Sequence, residues 1–239
     1  MLKKIIIFFI FVLIIFILGK IFLFSEIPLT EFSIPEKEVQ LPEPEDESVL
    51  LEVPFVVQAP FGEWDNPAFQ DACEEAALIM AMGWVEGQQI TSQEARAEIQ
   101  AISDFELETY GEYRDRSSSD TAQLMKDYYG YQNIRAKRDI TIEDIKSELR
   151  KGNLVIVPVN GQVVKNPYYT LPGPERHMLV IIGYDDQTKE FITNDSGTRH
   201  GKSYRYSVER VYNSIRDYET GYHIPIIEIQ KIMIVVGPA

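Results

Sequence analysis

The single cysteine of this 239-residue chain, Cys73, is its one candidate thiol nucleophile. His177, one of three histidines, opens an apolar run far downstream and is the candidate base. A thiol beside an imidazole can attack an amide carbonyl, with the imidazole accepting the thiol proton. A lone cysteine excludes an intramolecular disulfide and a multi-cysteine zinc site. The other interpretation of Cys73 is a small buried core residue.

The residues around Cys73 predict a buried helix over residues 71–85, because positions 76–82 are apolar nearly all round. Asp71 and Glu74 have the spacing of a capping box, which places Cys73 in the first turn. There the helix dipole stabilises a thiolate. A start at Asn66 would instead place Cys73 two turns deep. Glu74 and its neighbour also oppose a low thiol pKa unless their side chains point away.

His177 begins a predicted strand over residues 177–184, and a tight turn leads to a second strand over 190–194. Pairing Tyr184 with Glu190 in a hairpin brings Asn194 or Asp195 back to the His177 end. Either side chain can hold the imidazole in the tautomer of a general base. The two alternatives stay open, because adjacent strand residues face opposite sides.

An extended segment over residues 51–57 leads to Gln58, whose side-chain amide could donate to an oxyanion. Helices are predicted first along the chain and a mostly antiparallel sheet after them, which is typical of the α+β class. The remaining predicted helices cover residues 92–102, 119–129, 142–151 and 207–215, the remaining strands cover 154–159 and 231–236, and residues 213–222 are predicted as a polar surface loop. Thr141 and Asp144 form a predicted capping box, and Gly152 ends that helix.

The first 50 residues differ from the rest of the chain. Residues 5–24 are apolar except for Gly19 and Lys20 and suffice to cross a bilayer, which predicts a transmembrane signal anchor over residues 1–24. Lys3 and Lys4 orient its start toward the cytoplasm. A cleaved signal peptide, with secretion, is the alternative. Residues 25–50 hold four prolines and eight acidic residues against Lys37 alone, which predicts a disordered stalk. Residues 51–239 are the predicted catalytic domain, outside the cytoplasm.

Composition narrows the function classes. With 23 basic and 37 acidic residues the formal charge is −14, so no nucleic-acid partner is expected. The dispersed histidines predict no zinc or haem site, and residues 194–197 provide too few carboxylates for calcium, so no metal or cofactor is expected. Trp64, Tyr168 and Tyr169 could line a peptide groove, although loop aromatics more often pack against the edge of a core.

Taken together, these segments resemble the papain-like cysteine peptidases, in particular the bacterial branch related to bacteriocin-processing (double-glycine leader) peptidases. The resemblance spans residues 51–197 and rests on four segments: Val53-Pro54-Phe55-Val56-Val57-Gln58, Ala72-Cys73-Glu74 with Ala76-Ala77-Leu78-Ile79-Met80, residues 177–186, and Asn194-Asp195. It implies a papain-like α+β fold with the catalytic cysteine at a buried helix start. It also implies that Cys73 is the nucleophile, His177 its base, Asp195 the residue that orients His177, and Gln58 an oxyanion donor beside the Cys73 backbone N–H.

The chain departs from that family's pattern at several positions. Gln58 lies fifteen residues before Cys73, further than is usual, which makes Gln70 a rival oxyanion donor. The family often has glycine next to the cysteine and proline after the aspartate, where this chain has Ala72, Glu74 and Ser196. The predicted function is a membrane-anchored, exported cysteine peptidase acting on peptides or proteins. The alternatives are a non-catalytic module binding peptide or wall material, and an acyltransferase or transamidase.

Overall fold

The structure, a computed structural model, describes residues 48–239, which lie within one compact unit, Pro44–Ala239. The predicted anchor over residues 1–24 and nearly all of the predicted stalk over 25–50 lie outside the described residues. Within residues 48–239, no helix has the length and apolar character that crossing a membrane requires. Residues 48–50, assigned to the stalk from sequence, form strand β1, so the sheet begins before residue 51.

The described residues form seven helices and seven strands. The helices are α1 (Pro67–Gln70), α2 (Cys73–Glu86), α3 (Ser92–Tyr110), α4 (Ser118–Tyr129), α5 (Ile142–Arg150), α6 (Gly161–Val164) and α7 (Val208–Ser214). The strands are β1 (Ser48–Leu50), β2 (Ile134–Arg138), β3 (Leu154–Val159), β4 (His177–Asp185), β5 (Glu190–Asp195), β6 (Tyr204–Ser207) and β7 (Ile232–Val236). Helices dominate the first part and strands the second, which confirms the predicted α+β class.

All strand pairs in the sheet are antiparallel, in the order β2-β7-β3-β4-β5-β6. The short strand β1 pairs with Gly183–Asp185 at the end of β4, beyond the residues that β3 pairs. A Cβ on Gly183 would lie 2.1 Å from the carbonyl oxygen of Val49, so only glycine lets β1 approach so closely here.

The central strands of the sheet are buried on both faces. Along β4, Met178 and Val180 pack with the apolar residues of α2, whereas Leu179 and Ile181 pack with α5 and α7 on the opposite face. Successive strand residues point to opposite faces, so this alternation assigns each β4 side chain to one layer. His177 is thereby placed on the Leu179 side, at the end of the sheet where β4 begins.

Several predicted boundaries were wrong for identifiable reasons. Helix α3 continues eight residues beyond the predicted end, to Tyr110, because buried polar residues such as Glu106 interrupt its apolar pattern. Strands β2 and β6 were not predicted, since both are short and polar on one side. The predicted surface loop at 213–222 begins inside α7, and its Ile215 and Tyr218 are buried. The Thr141–Asp144 capping box of α5 is confirmed.

Candidate active site

Cys73 is the first residue of α2, at a break between two helices. Asn66 caps the short helix α1, which has Pro67 at its first position and ends at Gln70. Asp71 and Ala72 separate it from α2, which has Ala72 at the N-cap and no side-chain cap bond. The predicted first-turn position of Cys73 is therefore confirmed, whereas the predicted Asp71–Glu74 capping box is wrong. It fails because the Glu74 carboxylate turns inward and accepts a hydrogen bond from the Cys73 thiol.

The hairpin of β4 and β5 brings Asp195 to His177. Asp195 pairs with Leu179, so it shares a sheet face with His177, two residues before Leu179. The His177 Nε2 atom lies 2.9 Å from Asp195 Oδ1. At the turn, Glu190 pairs with Asp185 and not with Tyr184, and a register shift between Ile181 and Gly183 absorbs this one-residue difference.

Asn194, the alternative partner of His177, points to the other face. Its side-chain amide donates to the backbone carbonyls of Val53 at 3.3 Å and Pro54 at 3.2 Å. Its Oδ1 accepts from the Ser203 backbone N–H. Asn194 therefore ties the extended segment after β1 to the sheet, and the geometry selects Asp195 as the residue beside the imidazole.

Three further side chains hold Asp195 in place. Its Oδ2 accepts from Asn166 at 2.9 Å, from the Tyr169 hydroxyl at 2.7 Å and from the Tyr206 hydroxyl at 2.6 Å. The Gly197 backbone N–H donates to Oδ1. Complete burial alone would raise the pKa of Asp195, but His177 and the two tyrosine hydroxyls outweigh burial and lower it below its ordinary value. Asp195 is thus a buried carboxylate whose charge is compensated by donors.

Gln58 is buried and lies in the wall of the same cleft as Cys73 and His177. Its side-chain nitrogen lies 2.8 Å from the Gln70 carbonyl oxygen and 3.3 Å from that of Phe69, and its oxygen accepts from the Ser196 hydroxyl. The rivals Gln58 and Gln70 therefore contribute different groups. Gln70 supplies a backbone carbonyl that orients the Gln58 amide, while its own side chain is exposed.

The Cys73 thiol is buried against carboxylates. Its Sγ donates to Glu74 Oε2 at 2.9 Å. Burial raises the pKa of Cys73 well above its ordinary value, and the neighbouring Glu74 raises it further by charge and by accepting the thiol hydrogen. The effect of the carboxylates on the pKa of Cys73 therefore exceeds that of the helix dipole. A low thiol pKa required the Glu74 side chain to point away from the sulfur, and it points toward it.

A second buried acid pair lies behind the thiol. Glu75 and Glu106 are both buried, and among the described residues no protein donor reaches either oxygen of Glu75. Arg116 forms an ion pair with Glu106. Burial and the adjacent Glu106 raise the pKa of Glu75 well above its ordinary value. We interpret Glu75 and Glu106 as a buried pair of carboxyls that share one proton.

A cleft of about 1110 Å³ has Gln58, Cys73 and His177 in its wall. Trp64 and Tyr168 also line it and keep 40% and 53% of their surfaces exposed. The main role of Tyr169 in the site is to donate a hydrogen bond to Asp195, and not to line a peptide groove. The sequence did not point to Asn166, Tyr206 or Tyr218, because long-range packing alone brings them to the site and no motif spacing links them to Cys73 or His177.

A helix that begins at a cysteine and a sheet that carries a buried His–Asp pair define this chain as a cysteine peptidase. The family model described as the Peptidase_C39 like family matches residues 50–222, and the chain belongs to this family. The fold is similar to the crystal structure of a protein assigned as a C39-like peptidase from Bacillus anthracis. That similarity has a TM-score of 0.54 at 16% identity and covers 81% of this chain and 99% of the other. A search among curated proteins found no match.

Proposed function

We propose that this protein is a membrane-anchored, exported peptidase that hydrolyses peptide bonds through a thioester on Cys73. The observation that carries the proposal is the buried contact of 2.9 Å between His177 Nε2 and Asp195 Oδ1, at the wall of the cleft that Cys73 also lines. A buried carboxylate bonded to one ring nitrogen fixes the imidazole tautomer and stabilises the imidazolium.

The protonation pattern assigns the direction of proton transfer. Asp195 is ionised and accepts the Nε2 proton of His177, which leaves the lone pair on Nδ1. The proton of the Cys73 thiol passes to this Nδ1, and the resulting thiolate attacks the carbonyl carbon of the scissile peptide bond. The carbonyl oxygen then carries the negative charge of a tetrahedral intermediate.

Two donors are assigned to that oxyanion. As the first residue of α2, Cys73 has a backbone N–H with no intrahelical acceptor. The Gln58 amide is the second donor, and the weaker of its two bonds, at 3.3 Å to the Phe69 carbonyl, is the one expected to be exchanged for the substrate oxygen. The 2.8 Å bond to Gln70 keeps the amide oriented during this exchange.

Collapse of the intermediate breaks the C–N bond, and the imidazolium of His177 gives its proton to the leaving amine. A water molecule then gives a proton to His177 while its oxygen attacks the thioester carbonyl. The C–S bond breaks, the acid product leaves, and His177 returns the proton to the sulfur of Cys73. Each step uses groups of the chain and water.

The cleft favours an extended peptide as substrate. Its volume of about 1110 Å³ exceeds that of most small-molecule sites, and exposed Trp64 and Tyr168 offer apolar contacts along it. For location, we infer that the apolar residues 5–24 anchor the chain, with Lys3 and Lys4 on the cytoplasmic side and the peptidase domain outside.

A peptide library incubated with the full-length protein under reducing conditions tests the activity. The expected result is peptide cleavage and labelling of Cys73 by a peptidyl electrophile, with both lost in Cys73→Ala and cleavage reduced at least about a hundredfold in His177→Ala. Cleavage that persists in Cys73→Ala would refute the assignment of the nucleophile. A folded protein that neither cleaves any peptide nor reacts with the electrophile would refute the proposed function.

A further inference from the structure

The nucleophile of the proposed mechanism is bonded to the residue that follows it in the chain. In the described part of the chain, the Cys73 thiol hydrogen bonds to Glu74 and not to His177. Glu74 is 3% exposed, so water does not compete for this carboxylate. A charge-assisted bond in such a place is strong, because the local dielectric is low.

The Glu74 carboxylate is itself fixed from two other segments. Its Oε1 accepts from the Tyr218 hydroxyl at 2.5 Å and from the Arg116 backbone N–H at 3.2 Å. Tyr218 lies after α7 and Arg116 before α4, so three separate parts of the chain converge on one carboxylate. Oε1 is thus occupied by donors, and Oε2 is left to face the thiol.

We propose that Glu74 is a positioning residue that holds Cys73, in the substrate-free enzyme, as a neutral thiol bonded to the Glu74 carboxylate instead of to His177. This inference rests on the proposed function, because it gives Glu74 a role through the nucleophile. Catalysis then begins when the thiol leaves Glu74 Oε2 and presents its proton to His177 Nδ1. No bond other than S–H is broken in this step, and the proton moves from sulfur to nitrogen.

The consequence is a thiol that resists ionisation and oxidation until the Glu74 bond is exchanged. The thiolate is the reactive species toward alkylating agents and oxidants, and a carboxylate beside it disfavours the thiolate. The raised pKa of Cys73 agrees with this arrangement, with burial as its largest cause and Glu74 as the next. The charged and titratable groups around Glu74 are Cys73, Tyr218, Asp115, Glu75, Glu106 and Arg116.

Alkylation of the full-length protein by iodoacetamide, followed from pH 5 to pH 10, tests the inference, since Cys73 is the single cysteine. Glu74→Gln keeps the side-chain shape and an oxygen for Tyr218 and Arg116, but places an uncharged amide donor against the sulfur. The matched control is Glu75→Gln, which replaces the carboxyl one residue further along α2 without touching the thiol. Thermal unfolding checks that each variant is folded.

In Glu74→Gln, the midpoint of the alkylation profile is expected to fall by at least about one pH unit, which corresponds to tenfold more thiolate at neutral pH. Glu75→Gln should shift it by less than half as much. Tyr218→Phe removes one of the two donors to Glu74 Oε1, leaves the Arg116 backbone N–H in place and keeps the carboxylate beside the thiol, so it should not lower the midpoint. An unchanged midpoint in Glu74→Gln, or an equal shift in both glutamine variants, would overturn the inference. Because alkylation needs no peptide turnover, this result is independent of whether Cys73→Ala abolishes cleavage.

Discussion

Replacing Asp195 by asparagine is the substitution that best separates a catalytic from a structural role for the His177–Asp195 pair. The asparagine would keep the size of the side chain and an oxygen for the surrounding donors, but would remove the negative charge. Its amide nitrogen would also compete to donate to His177 Nε2, which favours the wrong imidazole tautomer. We therefore expect Asp195→Asn to fold but to turn over peptides slowly.

The size of the effect follows from the geometry. Two unit charges 2.9 Å apart attract by about 6 kcal/mol at an effective dielectric constant of about 20. The side chains are 2% and 0% exposed, so solvent screening does not reduce this value further. Since about 1.4 kcal/mol is a factor of ten in rate, loss of the charge can cost at most about 10⁴-fold in kcat/KM. Because the variant mainly impairs general-base catalysis by His177, the expected decrease in kcat/KM is smaller than this upper bound, about 10²-fold.

The assay is kcat/KM against pH for a peptide that the wild type cleaves, with circular dichroism and thermal unfolding in parallel. Asn194→Ala is the matched control on the adjacent residue. It removes three hydrogen bonds to Val53, Pro54 and Ser203, so it should lower the unfolding temperature while leaving kcat/KM within about tenfold of wild type.

Two results would refute this reasoning. One is an Asp195→Asn variant that keeps kcat/KM within about threefold of wild type, because the charge would then be irrelevant to the imidazole. The other is a larger loss in Asn194→Ala than in Asp195→Asn when both are folded, since Asn194 would then be the residue that orients His177.

Three more predictions follow from the site. Gln58→Ala should lower kcat by about 10²-fold, with KM changed much less, because an oxyanion donor acts mainly in the transition state; steady-state kinetics check this, and an unchanged kcat would exclude Gln58 from the oxyanion site. In Gly197→Ala the new Cβ would lie 3.0 Å from His177 Cε1, so peptide cleavage should fall more than thermal stability, and equal activity would contradict the close packing. In the wild type, burial raises the pKa of Glu106 from 4.5 to about 7, so the protein should lose stability as the pH rises through that range, by about 5–10 °C in melting temperature between about pH 5 and pH 8. In Glu75→Gln the side-chain amide would donate to Glu106 but has no titrating proton, so the decrease in melting temperature with pH should be smaller. An equal decrease in the wild type and in Glu75→Gln would exclude the shared proton.

Local sequence patterns determined most of the elements and their order. The apolar residues after Cys73 require a buried helix, the apolar run after His177 requires a central strand, and Thr141 with Asp144 defines the start of α5. The hairpin between β4 and β5 also followed from sequence, although its register at the turn differs by one residue from the predicted pairing of Tyr184 with Glu190. These features depend on neighbours in the chain, and therefore residue types and spacing suffice to predict them.

Contacts between segments that are distant along the chain could not be predicted from local sequence patterns. The choice of Asp195 over Asn194 depends on which sheet face each residue takes, and the register shift before Gly183 affects that pairing. The donors to Asp195 come from Asn166, Tyr169 and Tyr206, which lie 11 to 29 residues from it along the chain.

The surroundings of Cys73 show most clearly which properties follow from local sequence and which follow from tertiary contacts. The sequence placed Cys73 in the first turn of a helix, although through a capping box that does not form, and identified Glu74 as a residue whose direction would matter. That direction depends on Tyr218 and Arg116, which reach Glu74 from 144 and 42 residues away along the chain. Hydrogen bonds and burial set the charge state of a thiol, and both are properties of the packed molecule. The sequence by itself thus determined which groups could do the chemistry, and the tertiary structure decided which of them meet and which are held neutral.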